Sequence, residues 1–144
     1  MIDLFSNFDL IELREILPHE DFSFDALLKL ATFLSNHHSY QLPPLIIDKK
    51  SKVIIDGHHR YQALKKIGKR FAPCTLLDYS DNRIIAFQEN LRGNELNKSD
   101  IIKRATQKKL YPQKFTCHGV RLESGELIHI SKVNKKISIP LERL

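Results

Sequence analysis

The run Val53-Ile54-Ile55-Asp56-Gly57-His58-His59-Arg60-Tyr61 concentrates more chemistry than any other stretch of the 144 residues. An apolar strand ends on a carboxylate and a glycine, and three donor-bearing side chains then open a helix. A helix start presents unpaired N–H groups and the positive end of the dipole. Phosphate oxygens seat well there, and glycine permits their close approach. Arg60 would add a planar, charge-assisted fork, and His58 and His59 further donors. Asp56 has the hard oxygen chemistry to ligate Mg²⁺ bridging two phosphates. On spacing alone, a simple Asp-Gly turn before surface histidines accounts for the run equally well. Adjacent histidines do not share a helix face, so a two-histidine metal site is disfavoured; no His-Glu-x-x-His occurs, and His37-His38 reads as a solvated helix end.

Two other segments carry reactive groups. Leu17-Pro18-His19-Glu20 reads as a polar turn before a helix, where a glutamate is more often exposed than catalytic. Tyr111-Pro112-Gln113-Lys114-Phe115-Thr116-Cys117-His118 places a lysine, a hydroxyl and an imidazole in one loop, and alone would be an ordinary connection anchored by Phe115.

The elements that must position these groups are legible as periodicities. Residues 8–13 read as a strand, and 23–36 as a helix with Ser23 or Asp21 as its N-cap. Leu45-Ile46-Ile47 and Val53-Ile54-Ile55 flank a polar connection of hairpin length. Tyr61, Leu64 and Ile67 form a helical stripe that Gly68 stops. Residues 74–77 suggest a short strand after Pro73, and Ile84, Ile85 and Phe87 a helix over 81–90. Asn97 or Ser99 caps a further helix through 108, and 120–122, 127–130 and 137–139 are β-like. Helices and hairpins mix without strict alternation, so the expected fold class is α+β: one domain over 1–144, a small mixed sheet with packed helices.

Composition narrows the function classes. Lys and Arg number 23 against 17 Asp and Glu, a net charge of +6, but the basic residues are scattered, which disfavours a nucleic-acid surface. No apolar run approaches the roughly 20 residues of a membrane span, and the N-terminus lacks the head of a secretory signal. Cys74 and Cys117 have no Cys-x-x-Cys spacing, so a reducing cytoplasm is the expected location. There is no Gly-x-x-x-x-Gly-Lys-Ser/Thr, so any nucleotide chemistry must use another phosphate site.

Together the segments resemble the ParB/sulfiredoxin superfamily, and within it the free L-serine kinases. The matching positions are Pro18-His19-Glu20, Asp56-Gly57-His58-His59-Arg60-Tyr61, Ile67-Gly68, Ala72-Pro73 and Asp78-Tyr79. A later family motif, Pro-Lys-Thr-Thr-Arg-His, is met at Lys114, Thr116 and His118, and the closing β-segment at 137–144. The resemblance implies a ParB/sulfiredoxin-like fold and phosphoryl transfer from ADP or ATP, with Mg²⁺, to free serine or a similar small hydroxy amino acid. Glu20 would be the general base, which a serine hydroxyl requires. Asp56 would hold the metal, Gly57, His58, His59 and Arg60 the donor phosphates, and Lys114, Thr116 and His118 the acceptor. Phe115 and Cys117 depart from the motif's Thr and Arg, removing a cationic anchor; the 119–136 loop is longer than expected, and the large insertion of longer members is missing. The alternative is a non-catalytic ParB-type nucleotide-binding or DNA-associated regulatory module. It calls for a helix-turn-helix following the nucleotide part, where the sequence reads as β. A sulfiredoxin-like reductase would need a cysteine beside the motif glycine, where His58 stands.

Overall fold

A computed structural model describes residues 2–89 and 91–144. The elements in chain order are β1 (Phe8–Glu12), α1 (Phe24–Asn36), β2 (Ser39–Tyr40), β3 (Leu45–Asp48), β4 (Ile54–Asp56), α2 (His58–Lys66), β5 (Phe71–Leu77), β6 (Ile84–Gln88), β7 (Leu91–Leu96), α3 (Lys98–Thr106), β8 (Thr116–Arg121), β9 (Leu127–His129) and β10 (Ile139–Pro140). Short 3₁₀ turns fill several connections.

The first sheet has the order β1-β5-β3-β4. β3 and β5 run parallel, whereas β1–β5 and β3–β4 are antiparallel. Leu45, Ile46 and Ile47 are all fully buried because this sheet is covered on both faces, which explains the unbroken apolar run. Successive strand residues point to opposite faces, and the two cores divide them accordingly. Leu45, Ile47, Ile54, Ala72 and Cys74 pack with Leu34 of α1 and Leu64 of α2. Ile46, Val53, Ile55 and Leu77 pack on the other side with Ile84, Val120, Ile101 and Tyr111. That second core lies against the second sheet, order β7-β6-β8-β9, in which every pairing is antiparallel.

One expected element is wrong. The 81–90 segment is not a helix: Ile84–Gln88 is strand β6, paired with β8 through Ile84↔Val120 and Gln88↔Thr116. Ile84 and Ala86 alternate into the core, and β-branched isoleucines suit a pleated surface. Periodicity cannot separate helix from strand in so short an apolar run. Asn90, the end of that expected helix, lies outside the described residues. The strand expected at 74–77 begins earlier, at Phe71, and takes in Pro73; β3 pairs only from Cys74 onward, so its ladder asks nothing of the proline's missing N–H. The mixed α+β arrangement itself is as expected.

Caps follow the expected chemistry. Ser23 Oγ accepts from the Ala26 N–H, and Asn97 Oδ1 from the Ser99 and Asp100 N–H groups. α2 differs: its N-cap is Gly57, and among the described residues no side chain caps its first N–H groups. Gly68 ends the same helix at φ +77°. Among the described residues no helix is long and apolar enough to cross a membrane.

Candidate active site

The segment from Leu17 to Asp21 brings the reactive groups together. Leu17 is fixed beside β4, donating to the Lys52 carbonyl and accepting from the Ile54 N–H, each at 2.9 Å. A few residues on, the Tyr111 N–H donates to the His19 carbonyl at 2.9 Å and the Asp21 N–H to the Tyr111 carbonyl at 2.8 Å. Glu20 is thereby held between the end of the first sheet and the start of β8. Tyr111 stacks on Phe115 with ring centroids 4.9 Å apart, steadying the loop that leads into Thr116.

Glu20 is half-buried and its Oε1 is densely solvated by protein. It accepts from the Phe115 N–H at 2.8 Å, the Thr116 N–H at 2.7 Å and the Thr116 hydroxyl at 3.0 Å. Because that hydroxyl spends its proton on Glu20, its oxygen accepts from His19 Nε2 at 2.9 Å. Burial raises the carboxyl above its ordinary range, and the charge of Glu89 adds to the rise, against the lowering effect of the Thr116 and Phe115 donors. Among the described residues Oε2 takes no hydrogen bond. A carboxylate with one oxygen clamped, the other open and a raised pKa is suited to receive a proton.

Opposite it stands the opening of α2. Gly57 has φ +113°, and a Cβ there would fall 2.9 Å from Arg60 Nη2 and 3.1 Å from Leu45 Cγ, so glycine is required twice over. Arg60 Nη2 donates to Asp56 Oδ2 at 3.2 Å and to the Pro44 carbonyl at 3.3 Å. The guanidinium therefore neutralises Asp56 and braces the 43–44 backbone, and any grip on a phosphate is shared with that ion pair. Asn134 Nδ2 donates to the same carbonyl at 2.8 Å. Asp56 Oδ1 takes no hydrogen bond among the described residues.

The histidines are used differently from one another. His58 Nε2 accepts from the His19 N–H at 3.1 Å, and His59 Nε2 from the Ser23 N–H at 2.9 Å. Acceptance at Nε2 places the proton of each neutral ring on Nδ1, leaving one donor apiece. His118 shares a hydrogen bond of 2.6 Å with the Tyr79 hydroxyl. The His19 ring meets His58 edge-on at 4.5 Å and His118 at 5.8 Å. Burial holds His58 and His118 well below the usual imidazole range and brings His19 down to about 4. These rings are neutral when folded and bind protons once unfolded. Their stabilisation is complete above pH 6.5 and is lost as pH falls. His19 alone accounts for about 3 kcal/mol between pH 7 and pH 4. Urea midpoints should fall steeply from pH 7 to pH 4.5; a flat profile would show the histidines are not buried as neutral groups.

These groups enclose a cavity of about 260 Å³, walled by Glu20, Asp56, Gly57, His58, His59, Arg60, Thr116 and His118 among others. Of the residues singled out from sequence, only Lys114 is not in the wall; it is exposed at φ +59°, near enough for its charge to help lower His59. The structure adds Glu89, which the helical reading of 81–90 concealed, and His129. Strand register would have found Glu89, since it follows the Gln88↔Thr116 pair. Among the described residues no group of three or more His, Cys, Asp or Glu is set to hold a metal. A carboxylate such as Asp56 has the oxygen chemistry for Mg²⁺, which commonly takes one or two carboxylates together with substrate phosphates.

The fold is similar to that of solved free serine kinases, and the sequence is similar to a ParB-like protein. A solved free serine kinase in complex with AMP superposes with a TM-score of 0.74 at 15% identity, over 96% of this chain and 93% of that one. Among curated proteins, a ParB-like protein of Sulfolobus acidocaldarius is 34% identical over 97 residues, 60% of this chain and 48% of its own length. The ADP-dependent L-serine kinase SerK of Thermococcus kodakarensis is 26% identical over 135 residues, 90% of this chain and 54% of its own length. The chain thus spans about half the length of these curated relatives. No protein-family model matches it.

Proposed function

We propose that this cavity transfers the terminal phosphoryl group of ADP or ATP to the hydroxyl of free L-serine or a similar small hydroxy amino acid, giving O-phospho-L-serine. The observation that carries the reading is that the open end of the Glu20 carboxylate and the uncapped start of α2 share one cavity. Names and ligands of the relatives support it: an L-serine kinase, and a free serine kinase holding AMP.

In this reading the donor phosphates rest on the N–H groups following Gly57, whose lack of a side chain leaves them open. His59 Nδ1–H and the Arg60–Asp56 pair line the same end. Mg²⁺, when bound, would neutralise the phosphates, and Asp56 is the residue to hold it. The acceptor hydroxyl lies at Glu20. As its oxygen bonds to phosphorus, the bond from phosphorus to the leaving nucleotide oxygen breaks, and the hydroxyl proton passes to Glu20 Oε2. Thr116 clamps Oε1 so that Oε2 faces the acceptor, and His118 shapes the floor through Tyr79. Lys114 approaches from outside as a mobile counter-charge. We place the protein in the cytoplasm, as one working domain over 1–144, in keeping with two cysteines that lack Cys-x-x-Cys spacing.

Thr116→Val isolates the clamp. It removes the hydroxyl donor but keeps shape and backbone N–H, so the ionised form of Glu20 loses support. The acid limb of kcat should move up by about one pH unit, equivalent to roughly 1.4 kcal/mol; an unmoved limb would remove Thr116 from this role. The ParB-like relative keeps one other reading in view, a nucleotide-binding regulatory module. That module would bind nucleotide with no serine-dependent turnover, and a product assay over a panel of amino acids, with either nucleotide and Mg²⁺, separates the two.

A further inference from the structure

The cavity's charges do not balance from its own residues. Among the described residues its wall carries the carboxylates of Glu20, Asp56 and Glu89 against one guanidinium, that of Arg60, which is already paired with Asp56. Both remaining acidic residues hydrogen-bond to Phe115, Glu20 through its carboxylate and Glu89 through its backbone. The Phe115 N–H donates to Glu20 Oε1 at 2.8 Å, and the Phe115 carbonyl accepts from the Glu89 N–H at 2.8 Å. Glu89 is therefore fixed at the backbone by the same residue that holds the base, while its exposed side chain contributes to the cavity wall. Lys114 is exposed outside that wall, and the imidazoles of His58, His59 and His118 are held neutral. Among the described residues of the wall, which also include His129, no lysine or arginine other than Arg60 stands.

We infer that Glu89 is a specificity residue that receives the ammonium group of the acceptor, selecting amino alcohols and amino acids over hydroxy acids of the same size. This rests on the phosphoryl-transfer reading above and assigns the acceptor end of the same site. The geometry suits it: the carbons that carry the hydroxyl and the ammonium are neighbours in serine, and Glu20 and Glu89 line one cavity and both hydrogen-bond to Phe115. The charge effect agrees, because Glu89 raises the Glu20 carboxyl and an ammonium between them would relieve that repulsion.

The test compares L-serine with 3-hydroxypropionate, which keeps carboxylate and hydroxyl but lacks the amine, in wild type and Glu89→Gln. KM and calorimetric Kd, the latter measured with AMP present, should weaken about tenfold for L-serine. Values for 3-hydroxypropionate should stay within about twofold. Because one negative charge is removed near Glu20, the acid limb of kcat for L-serine should also move to lower pH, a shift that mere loosening of the loop would not give. Equal effects on both acceptors, or an unchanged L-serine affinity, would overturn the assignment. The two readings fail separately. Serine turnover with no effect of Glu89→Gln removes Glu89 and keeps the kinase. Selective, Glu89-dependent serine binding without turnover removes the kinase and keeps Glu89. A wild type that binds L-serine no better than 3-hydroxypropionate overturns the assignment whatever its turnover.

Discussion

Glu20→Gln is expected to lower serine-dependent turnover by about 10²- to 10⁴-fold, the usual worth of a positioned general base, while nucleotide affinity changes little. Glutamine preserves the volume, and its amide oxygen can still accept from the Phe115 and Thr116 N–H groups that now bind Oε1 at 2.8 and 2.7 Å. What it cannot do is take a proton from an attacking hydroxyl. The fold should therefore persist, and calorimetric titration with nucleotide should resemble wild type. Single-turnover rates with L-serine measure the chemical step directly. Full activity in the variant would remove Glu20 as the base.

Asp56→Asn should weaken magnesium-nucleotide binding by at least about tenfold, one charge-assisted contact to the metal being worth that much. The effect should vanish for the same nucleotide in EDTA, because asparagine removes a negative charge from the vicinity of the phosphates. This split distinguishes a metal ligand from a structural role. A structural cost is also expected: the Arg60–Asp56 pair is only 17% and 21% exposed, so its loss should lower stability by about 1–2 kcal/mol. An equal loss of affinity with and without Mg²⁺ would assign Asp56 to bracing Arg60 alone.

Much of the site was legible in the residues, and the reasons for success and failure are physical. Asp56-Gly57 ahead of a helical stripe called for a strand, a glycine and a helix start, and β4, Gly57 and α2 follow in that order. Ser23 and Asn97 declared their caps because a side-chain oxygen before an apolar periodicity has little else to do. The 81–90 stretch misled because Ile84-Ile85-Ala86-Phe87 is too short for its period to decide, and its pairing partner in β8 lies some thirty residues on. That single misreading hid Glu89. The inward roles of His58 and His59 were equally out of reach. Each accepts a backbone N–H from a segment more than thirty residues earlier in the chain, and no local pattern encodes such a bond. Motif resemblance brought Glu20 and Thr116 into one site, but only the Glu20↔Tyr111 bridge shows how the chain sets them together.

The most direct measurement is ³¹P NMR of the protein with Mg²⁺, L-serine and either ADP or ATP. O-phosphoserine should accumulate in step with AMP from ADP, or ADP from ATP, and omission of serine should leave the nucleotide intact. Bound nucleotide with serine unmodified under both donors, or phosphate released at the same rate without serine, would contradict a phosphoryl transfer site built from Glu20 and the start of α2.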